Sequence, residues 1–166
     1  MISEVVLARP EVASLNESVA GAILEGTQTE DLAGHPEVTL IVDPARIVDV
    51  ARALKTQGFE RLCTVTAVDW HPQEPRFEVV YHLHSVKHNR RLRLKVRLGS
   101  DTAKIESVTS VWRSANWYER EVFDLFGIEF SNHPDLRRIM MPEGWQGHPL
   151  RKDFPVHGFK YSYQDS

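Results

Sequence analysis

Near the middle of the chain, positions 91–98 (RLRLKVRL) alternate between basic and apolar residues without a break. A period of two is the pattern of a β-strand that buries one face and leaves the other in water. The preceding run, 76–84, also has apolar residues at every second position: Phe77, Val79, Tyr81 and Leu83. The short link VKHN between the two runs therefore predicts an antiparallel hairpin.

Residues 43–58, DPARIVDVARALKTQG, have the periodicity and the boundary residues of an amphipathic helix. Asp43 can cap this helix and Pro44 suits its first turn, while Gly58 suits its exit. Its inward face would consist of the apolar residues at helical spacing: Ile47, Val50, Ala51 and Leu54.

Shorter patterns predict the remaining elements. In 11–24, apolar residues recur at helical spacing, at Val12, Leu15, Val19 and Ile23. Strands are predicted at 38–43, 61–69 and 105–112. A last helix is predicted to begin at a cap formed by Asn116, with Glu119 closing a capping box, and to end at Gly127.

The order of these elements favours an α+β fold for residues 1–132, with helices on one face of a mixed, mostly antiparallel sheet. In 133–166, prolines and glycines interrupt every period, yet bulky apolar residues remain: Ile139, Met140, Met141, Trp145, Leu150, Phe154, Phe159, Tyr161 and Tyr163. A polar disordered tail would lack such residues. We therefore predict an extended, irregular C-terminal arm that docks on partner proteins, with packing on its own domain as the alternative.

The composition excludes several classes of protein. A net charge of −3 gives no general attraction to nucleic acid or to a membrane surface. No stretch approaches the roughly 18–20 apolar residues that span a bilayer, and the N-terminus does not resemble a signal peptide, so a cytoplasmic protein is expected. The only cysteine, Cys63, excludes an internal disulfide and a four-cysteine iron–sulfur cluster. Its apolar surroundings predict a buried, inert thiol.

Charged residues crowd among bulky apolar ones in 117–141: Glu119, Arg120, Glu121, Asp124, His133, Arg137 and Arg138. Glu121 and Asp124 would share a helical face, and Arg120 could pair with Asp124. Acid–base catalysis by these carboxylates is one interpretation. Charges that can neutralise one another more often form structural ion pairs, and no motif of nucleophilic catalysis accompanies them.

A metal site is a second interpretation, since His82 and His84 would lie on one face of a strand and Glu121, Asp124 and His133 could add ligands. No known ligand spacing is present, however. Nucleic-acid binding is a third interpretation, carried by basic residues without an intervening acid: Lys87, Arg90, Arg91, Arg93, Lys95 and Arg97. Aromatic stacking residues are missing from that face, so a solvated face or an acidic partner is the alternative.

Long segments of the chain carry a resemblance to a known family. The first runs Glu119-Arg120-Glu121, two residues, Asp124-Leu125-Phe126, six residues, His133, three residues, Arg137 and, after Arg138, Ile139. The second is GHPLRKDFP at 147–155, which contains His148, Arg151, Lys152 and Asp153. Further matches are TAVDW (66–70), RFEVVYHLHSVKHNRRLRLKV (76–96) and SANWYEREVFDLFG (114–127). In these segments the chain resembles the C subunit of bacterial NADH–quinone oxidoreductase (respiratory complex I), a family shared with mitochondria and chloroplasts.

The resemblance implies a structural subunit in the hydrophilic arm of a proton-translocating complex, against the D subunit and near the B subunit. That arm docks on membrane subunits at the cytoplasmic side. The resemblance implies no catalytic site, cofactor or metal in this chain, because FMN, the iron–sulfur clusters and the quinone belong to partner subunits. Equivalent subunits serve complexes fed by ferredoxin or a deazaflavin, and membrane-bound hydrogenases. A stand-alone metal- or nucleic-acid-binding domain is the remote alternative.

The resemblance also places the partner interface in the two central motifs, at Glu119, Arg120, Glu121, Asp124, His133, Arg137, Arg138, His148, Arg151, Lys152 and Asp153. Gly147 and Pro149 would fix the backbone there. Our hypothesis is that Arg137, Arg138 or Arg151 bridges the helix around 119–124, the arm and the D subunit, because a guanidinium can bind a carboxylate through two parallel hydrogen bonds. We expect the arm to be loosely held when this chain is isolated.

Overall fold

A computed structural model describes residues 2–30 and 34–155 of the chain. Its five-stranded sheet has the order β1-β2-β5-β4-β3, with the strands β1 (Ile23–Glu30), β2 (Pro36–Val42), β3 (Arg61–Asp69), β4 (Phe77–Ser85) and β5 (Arg90–Leu98). Within this sheet β2 and β5 run parallel, and the other neighbouring strands are antiparallel. The predicted mixed, mostly antiparallel sheet is confirmed, together with the strands at 38–43, 61–69, 76–84 and 91–98.

The antiparallel hairpin of β4 and β5, which the alternation of apolar residues predicted, is confirmed. Tyr81 lies opposite Leu94 and Leu83 opposite Leu92, and all four residues are buried. These residues belong to one hydrophobic cluster that also contains side chains of the helices. The basic residues of β5 point to the opposite face of the sheet, as the alternation requires.

The described residues form four α-helices: α1 (Glu4–Leu7), α2 (Pro10–Ser18), α3 (Ile47–Thr56) and α4 (Ala115–Phe126). The inward face predicted for α3 is confirmed, since Ile47, Val50, Ala51 and Leu54 are at most 1% exposed. Asp43 accepts a hydrogen bond from the Ala45 N–H and begins a short 3-10 turn, Pro44–Arg46, that leads into α3. Because α2, α3 and α4 contribute to the same hydrophobic cluster, the helices cover one face of the sheet.

The predicted helix over 11–24 is too long. α2 ends at Ser18, and Gly21 then has a φ of +74°, a conformation that redirects the chain. Ile23 belongs to β1, which pairs with β2 as far as Glu30 opposite Pro36. The sequence did not predict β1 because this edge strand, ILEGTQTE, is mostly polar and exposed and lacks a regular alternation.

The strand predicted at 105–112 is also largely wrong. Only β6 (Lys104–Glu106) is extended, and it pairs in parallel with β7 (Glu129–Ser131). The chain then turns, since the N–H groups of Val111 and Trp112 both donate to the Val108 carbonyl. A carboxylate oxygen of Glu119 accepts the Val108 N–H and removes that donor from any continuing strand.

The cap predicted for the last helix is wrong, whereas its end is confirmed. α4 begins after Ser114, which makes no side-chain capping bond, and Asn116 lies inside the helix. Glu119 therefore cannot close a capping box, and its carboxylate is buried against the turn that follows β6. Gly127 ends α4 with a φ of +72°, as predicted.

Cys63 is exposed, which corrects the prediction of a buried thiol. The cause is an irregularity in the pairing of β3 with β4 between Leu62 and Thr64. An extra residue in one strand shifts the alternation of faces. Leu62 and Val65 are both buried, and the intervening Cys63 side chain points to solvent.

Residues 133–155, here called the arm segment, contain no helix or strand. This agrees with an irregular C-terminal arm, although residues 156–166, which include Phe159, Tyr161 and Tyr163, lie outside the described part. The boundary between residues 132 and 133 stays a prediction. None of the helices within 2–30 and 34–155 is long and apolar enough to cross a membrane.

Candidate functional site

Asp124 is the centre of the contacts between α4 and the arm segment. Its carboxylate is fully buried and accepts the backbone N–H groups of Ile139, Met140 and Met141 at 2.9, 2.7 and 2.9 Å. Arg138 Nη1 donates to the other carboxylate oxygen at 2.7 Å. Burial alone would raise the pKa of Asp124, but these hydrogen bonds outweigh it and hold the pKa below its ordinary value. An ionised carboxylate thus fixes three consecutive residues of the arm segment.

The three arginines of the bridging hypothesis have different environments. Arg138 also donates to the Gly147 carbonyl at 3.0 Å, so it joins α4 to two parts of the arm segment. Arg151 Nε donates to the Phe126 carbonyl at 2.6 Å. The exposed Arg137 side chain instead pairs with Asp135. Arg138 therefore joins Asp124 to the arm segment as the hypothesis expects, whereas Arg151 reaches α4 beyond residue 124, and the contact with the D subunit stays a prediction.

The predicted pair of Arg120 with Asp124 does not form. Arg120 Nε donates to the Arg137 carbonyl at 3.1 Å, and its guanidinium lies 4.9 Å from the centre of the Trp117 ring. Because Arg137 belongs to the arm segment, the buried Arg120 side chain also connects α4 to that segment. Local spacing along the helix favoured the wrong partner because Arg138 reaches Asp124 from outside the helix.

The GHPLR part of the second motif caps the C-terminus of α4. An α-helix leaves its last four carbonyls without intrahelical partners. Donors of the arm segment reach three successive carbonyls of α4: His148 Nδ1 to Asp124 at 2.9 Å, the Leu150 N–H to Leu125 at 3.0 Å, and Arg151 Nε to Phe126 at 2.6 Å. Burial lowers the pKa of His148, which favours a neutral ring with its proton on Nδ1.

Gly127 makes this close approach possible. A Cβ atom at residue 127 would lie 2.5 Å from both Arg151 Nη2 and His148 Nε2. Its φ of +72° is also unfavourable for other residues. Glycine is therefore required here both by the backbone conformation and by the two capping side chains.

A second attachment joins the arm segment to the end of β3. Arg76 Nε and Nη2 donate to the two oxygens of Asp69 at 2.9 and 2.8 Å, while Nη1 and Nη2 donate to Asp153 at 3.0 and 2.7 Å. The Lys152 N–H donates to Asp69 at 2.8 Å. Burial acts to raise the pKa of Asp69, but the bonds from Arg76 and the backbone lower it well below its ordinary value. Arg76 chiefly lowers the pKa of Asp153.

Asp153 and Lys152 were predicted as interface residues from the sequence, whereas Asp69 and Arg76 were not. Both missed residues lie in segments that matched the family, TAVDW and RFEVV. Asp69 is the last residue of one predicted strand and Arg76 is the first residue of the next predicted run. Since these two ends are neighbours in an antiparallel pair, the sequence could have predicted that the two residues lie close together.

Glu119 is a buried carboxylate that is held by neutral donors. It accepts from the Ser107 hydroxyl at 2.6 Å and from the Val108 N–H at 2.8 Å. Burial raises the pKa of Glu119 to about 7, and these two hydrogen bonds only partly oppose the rise. Glu119 therefore holds the turn after β6 against α4.

His133 lies beside this carboxylate, at the start of the arm segment. Its Nδ1 atom accepts the Asp135 N–H at 3.1 Å, so the ring proton lies on Nε2, which donates to the Asn116 carbonyl at 3.2 Å. Burial lowers the pKa of His133 and keeps the ring neutral. His133 thus fixes the point at which the arm segment leaves the sheet.

The remaining candidates are not brought together. Glu121 is exposed, and Lys152 uses its backbone, with an exposed side chain. Within 2–30 and 34–155, no three or more His, Cys, Asp or Glu residues are grouped so that they could hold a metal ion. The positions of Glu121, Asp124, His133, His82 and His84 therefore give the metal interpretation no support.

The basic face of β5 is largely paired within the chain. Acidic residues of α2 and of strands β1, β2 and β4 bind four of its cations: Arg90 with Glu11, Arg93 with Glu37, Lys95 with Glu78, and Arg97 with Glu25. Neutralised cations bind a phosphate backbone weakly. This arrangement does not favour nucleic-acid binding.

Large apolar side chains remain exposed on the arm segment and beside its attachments: Trp70, Trp117, Met140, Trp145 and Leu150, here called the arm surface. Trp70 directly follows Asp69, and Trp117 lies against Arg120. Tryptophan and methionine are enriched where proteins bind one another. Asp124, Arg138 and Arg151 of the two motifs hold the arm segment on its own domain, whereas these apolar side chains stay exposed, which is typical of a docking surface.

The chain has close relatives in sequence. The family described as "Respiratory-chain NADH dehydrogenase, 30 Kd subunit" matches residues 40–160. The C subunit of the NADH-quinone oxidoreductase of Geobacter sulfurreducens is 50% identical over 149 residues, which cover 89% of this chain and 89% of the relative. The C subunit of the same enzyme from Paramagnetospirillum magneticum is 47% identical over 148 residues, covering 87% and 74%.

Solved structures share the fold. The trypsin-resistant fragment (1-134) of Nqo5 has 31% identity and a TM-score of 0.60, and the match covers 67% of this chain and 89% of that one. A chain of the membrane-bound sulfane sulfur reductase, an archaeal respiratory membrane complex, has 29% identity and a TM-score of 0.70, with coverages of 87% and 84%. The second match extends over most of the present chain.

Proposed function

The chain belongs to the family of the 30 Kd subunit of respiratory-chain NADH dehydrogenase, and on this premise we propose that it is a structural subunit without a redox centre. Members of this family are subunits of an electron-transport oxidoreductase complex, so other subunits are its partners. In the proposal, this chain binds the D and B subunits in the hydrophilic arm, on the cytoplasmic side of the membrane. Those and other partners carry electrons from NADH to quinone and couple the reaction to proton translocation.

The proposal rests on the contrast between the attached polar groups of the arm segment and its exposed apolar side chains. Arg138, Arg151 and several backbone donors of the arm segment hold it on α4 and β3, whereas its Met140, Trp145 and Leu150 side chains are exposed. A surface of this kind buries apolar area when it meets a partner, at roughly 25 cal/mol per Å². The arm surface is therefore the proposed contact with the D subunit.

The proposal includes the bridging hypothesis. Arg138 and Arg151 are half-buried and already bind α4, and each guanidinium has five N–H donors. A carboxylate of the D subunit would bind donors that remain. The expected consequence is that the arm segment and the D subunit are fixed by the same side chains.

Assembly of the complex tests the arm surface. Met140 and Val86 are similarly exposed, at 60% and 58%, but Val86 lies in the hairpin between β4 and β5, at the opposite end of β4 from Phe77. We expect Met140→Lys and Trp145→Ala to lower the amount of intact complex on native gels several-fold. Val86→Lys serves as the matched control and should leave assembly unchanged.

Turnover distinguishes a scaffold from a catalytic subunit. NADH-driven quinone reduction should fall in proportion to the amount of assembled complex, while activity per assembled complex stays near normal. Full assembly combined with a large loss of turnover would contradict the scaffold function. Equal assembly defects in Met140→Lys and Val86→Lys would mean that the arm surface has no special part in docking.

The proposed absence of a redox centre has its own test. The sequence has a single cysteine, and Cys63 is exposed on β3. The purified full chain should show no flavin or iron–sulfur absorption in the visible range and no stoichiometric iron. A flavin band or bound iron would overturn this part of the proposal and leave the docking function untouched.

A second candidate is an equivalent subunit of a complex fed by ferredoxin or a deazaflavin, or of a membrane-bound hydrogenase. The similarity to a chain of an archaeal sulfane sulfur reductase complex favours keeping it, because that complex is respiratory and membrane-bound as well. Proteins that co-purify in a mild-detergent pull-down would separate the two. Flavin- and NADH-binding subunits support the first function, and a [NiFe] hydrogenase subunit supports the second.

A further inference from the structure

A small cleft lies at the end of the sheet remote from the arm segment. It is formed where α3 and β4 end, has a volume of about 240 Å³, and is lined by Gln57, Phe59, Ser85 and His88 with Pro10 and Arg90. Asp69 pairs with Phe77 at one end of β4, whereas Ser85 is the last residue at the other end. The cleft is therefore separate from the arm surface and from the attachments at Asp69.

Two polar groups that line this cleft are buried without a hydrogen-bond partner in the described part of the chain. Ser85 is fully buried, and its hydroxyl makes no hydrogen bond. The Gln57 Nε2 atom donates to the Ser14 hydroxyl at 3.2 Å, but its buried Oε1 atom makes no bond. A buried polar group without a partner costs roughly 1–3 kcal/mol. The cleft therefore presents an amide oxygen and a hydroxyl whose hydrogen bonds a bound molecule would supply.

The shape of the backbone brings the two groups to the same opening. Gly58, which follows Gln57, has a φ of +93° and no side chain. A Cβ atom at this position would lie 3.7 Å from the Ser85 hydroxyl and 3.6 Å from His88 Cδ2. Gly58 therefore lies beside the Ser85 hydroxyl, directly after the residue that carries the unpaired amide oxygen.

The charges around the cleft favour a neutral ligand. Arg90 and Glu11 are the charged residues that line it, and they already bind each other, with Arg90 Nη1 2.9 Å from a Glu11 carboxylate oxygen. The other walls include the apolar side chain of Phe59, which is 2% exposed. An anion or a cation would lose its hydration without gaining an unpaired counter-charge here, which is unfavourable.

We propose that this cleft binds a primary carboxamide, whose N–H group donates to the Gln57 carbonyl oxygen while its carbonyl accepts from the Ser85 hydroxyl. A carboxamide is neutral and carries both a donor and an acceptor, so it can satisfy both buried groups at once. An asparagine or glutamine side chain of a neighbouring subunit and a free small amide share this chemistry. The inference does not depend on the docking function of the arm surface.

Chemical-shift titration of the ¹⁵N-labelled full chain with propionamide tests the proposal. The amides of Phe59, Ser85 and His88 should shift with saturation at millimolar concentrations, as expected for a ligand of so few atoms. Propionate has the same shape with a charge and no N–H donor, and it should bind at least tenfold more weakly. Saturable binding of both to the same extent would contradict recognition of the amide.

Variants separate recognition from folding. Ser85→Ala and Gln57→Leu should each weaken propionamide binding about tenfold, while Ser18→Ala, at an exposed serine outside the cleft, should not. Ser85→Ala removes an unpaired buried hydroxyl, so its thermal stability should equal or exceed that of the wild type. No saturable shift in the wild type, or unchanged binding in both variants, would mean that water alone fills the cleft.

The assembled complex distinguishes the two sources of the carboxamide. If a neighbouring subunit supplies it, propionamide should compete poorly in the complex, and Ser85→Ala should weaken retention of that subunit on native gels. If the ligand is a free amide, propionamide should bind the complex as it binds the isolated chain. Either result supports the carboxamide site once binding to the isolated chain has been seen.

Discussion

His133 Nε2 lies 3.9 Å from a carboxylate oxygen of Glu119, and both side chains are completely buried. The histidine is neutral and donates to the Asn116 carbonyl, so it does not neutralise the carboxylate. The pKa of Glu119 is therefore raised, first by burial, from 4.5 to about 7. This pair connects α4, the turn after β6 and the first residue of the arm segment.

The first prediction is that Glu119 makes folding stability depend on pH near neutrality. Because its pKa is higher in the folded state, the protonated carboxyl contributes stability that is complete below about pH 4.5 and is lost as pH rises through about 7. The loss should reach about 3 kcal/mol. Glu119→Gln should remove this dependence, as measured by urea unfolding between about pH 4 and 8.5.

The exposed neighbour Glu121 supplies the control for that experiment. Glu121→Gln should leave the pH profile of wild-type stability unchanged, since an exposed carboxylate has little effect on folding. The lowered pKa of His133 makes stability fall at acidic pH, which is opposite in sign to the effect of Glu119. Subtracting the wild-type free energy of unfolding from that of each variant removes this contribution. Parallel profiles for Glu119→Gln and the wild type would show that Glu119 stays ionised throughout.

The second prediction contrasts two adjacent arginines. Arg138→Ala should lower the free energy of unfolding by about 2–3 kcal/mol, because buried Asp124 loses a charge-assisted hydrogen bond but keeps its three backbone donors. Arg137→Ala should change it by less than about 0.5 kcal/mol, since Arg137 pairs with Asp135 in solvent. Guanidinium denaturation of both variants checks the difference.

Arg138→Lys refines this comparison. A single ammonium group cannot reach both Asp124 and the Gly147 carbonyl as the guanidinium does. The decrease in the free energy of unfolding of Arg138→Lys should therefore lie between the decreases of Arg137→Ala and Arg138→Ala. Equal losses in Arg137→Ala and Arg138→Ala would refute the role assigned to Asp124.

The third prediction concerns Gly127. Gly127→Ala should destabilise the chain by about 2 kcal/mol or more, since its positive φ alone costs a residue with a Cβ about 1–2 kcal/mol. The new Cβ would also displace Arg151 and His148 from the α4 carbonyls. Trypsin should then cut after Arg151 faster than in the wild type. Gly144→Ala, with nothing within 4 Å, is the control and should be cut at the wild-type rate.

The fourth prediction revises the expectation of a loosely held arm. Five amides of the arm segment donate to buried acceptors on α4 and β3: those of Ile139, Met140, Met141, Leu150 and Lys152. In the isolated chain they should exchange hydrogen at least tenfold more slowly than the amides of 143–144. Exchange at the same rate would restore the original expectation, in which the arm becomes ordered only in the complex.

Much of the sheet could be predicted because its signals are local. The alternation in 91–98 and the boundary residues Asp43 and Gly127 each determine structure within a few positions. The edge strand β1 escaped notice because polar side chains on both faces produce no period. Glu119 was assigned to a cap because its spacing from Asn116 fits one, although its acceptors serve the preceding turn.

The sequence indicated which charged residues form the site, but it did not indicate which of them bind each other. Asp124, Arg138 and Asp153 were all singled out, but Arg76 and Asp153 are 77 residues apart in sequence. Such pairs depend on how the whole sheet is assembled, and a single sequence has no local pattern that records them. The nearest compatible charge, four positions along the helix, is the default choice and was wrong for Asp124.

The parallel pairing of β2 with β5 has a consequence for biosynthesis. Thr39 lies opposite Arg93, which follows it by 54 residues. The hairpin of β1 and β2 therefore cannot pair with the rest of the sheet until β5 has left the ribosome. At the usual 5–20 residues per second, that wait lasts roughly 3–11 s. During this time the nascent chain exposes the unpaired backbone edge of β2 and its apolar face, Val38, Leu40 and Val42, to which chaperones can bind.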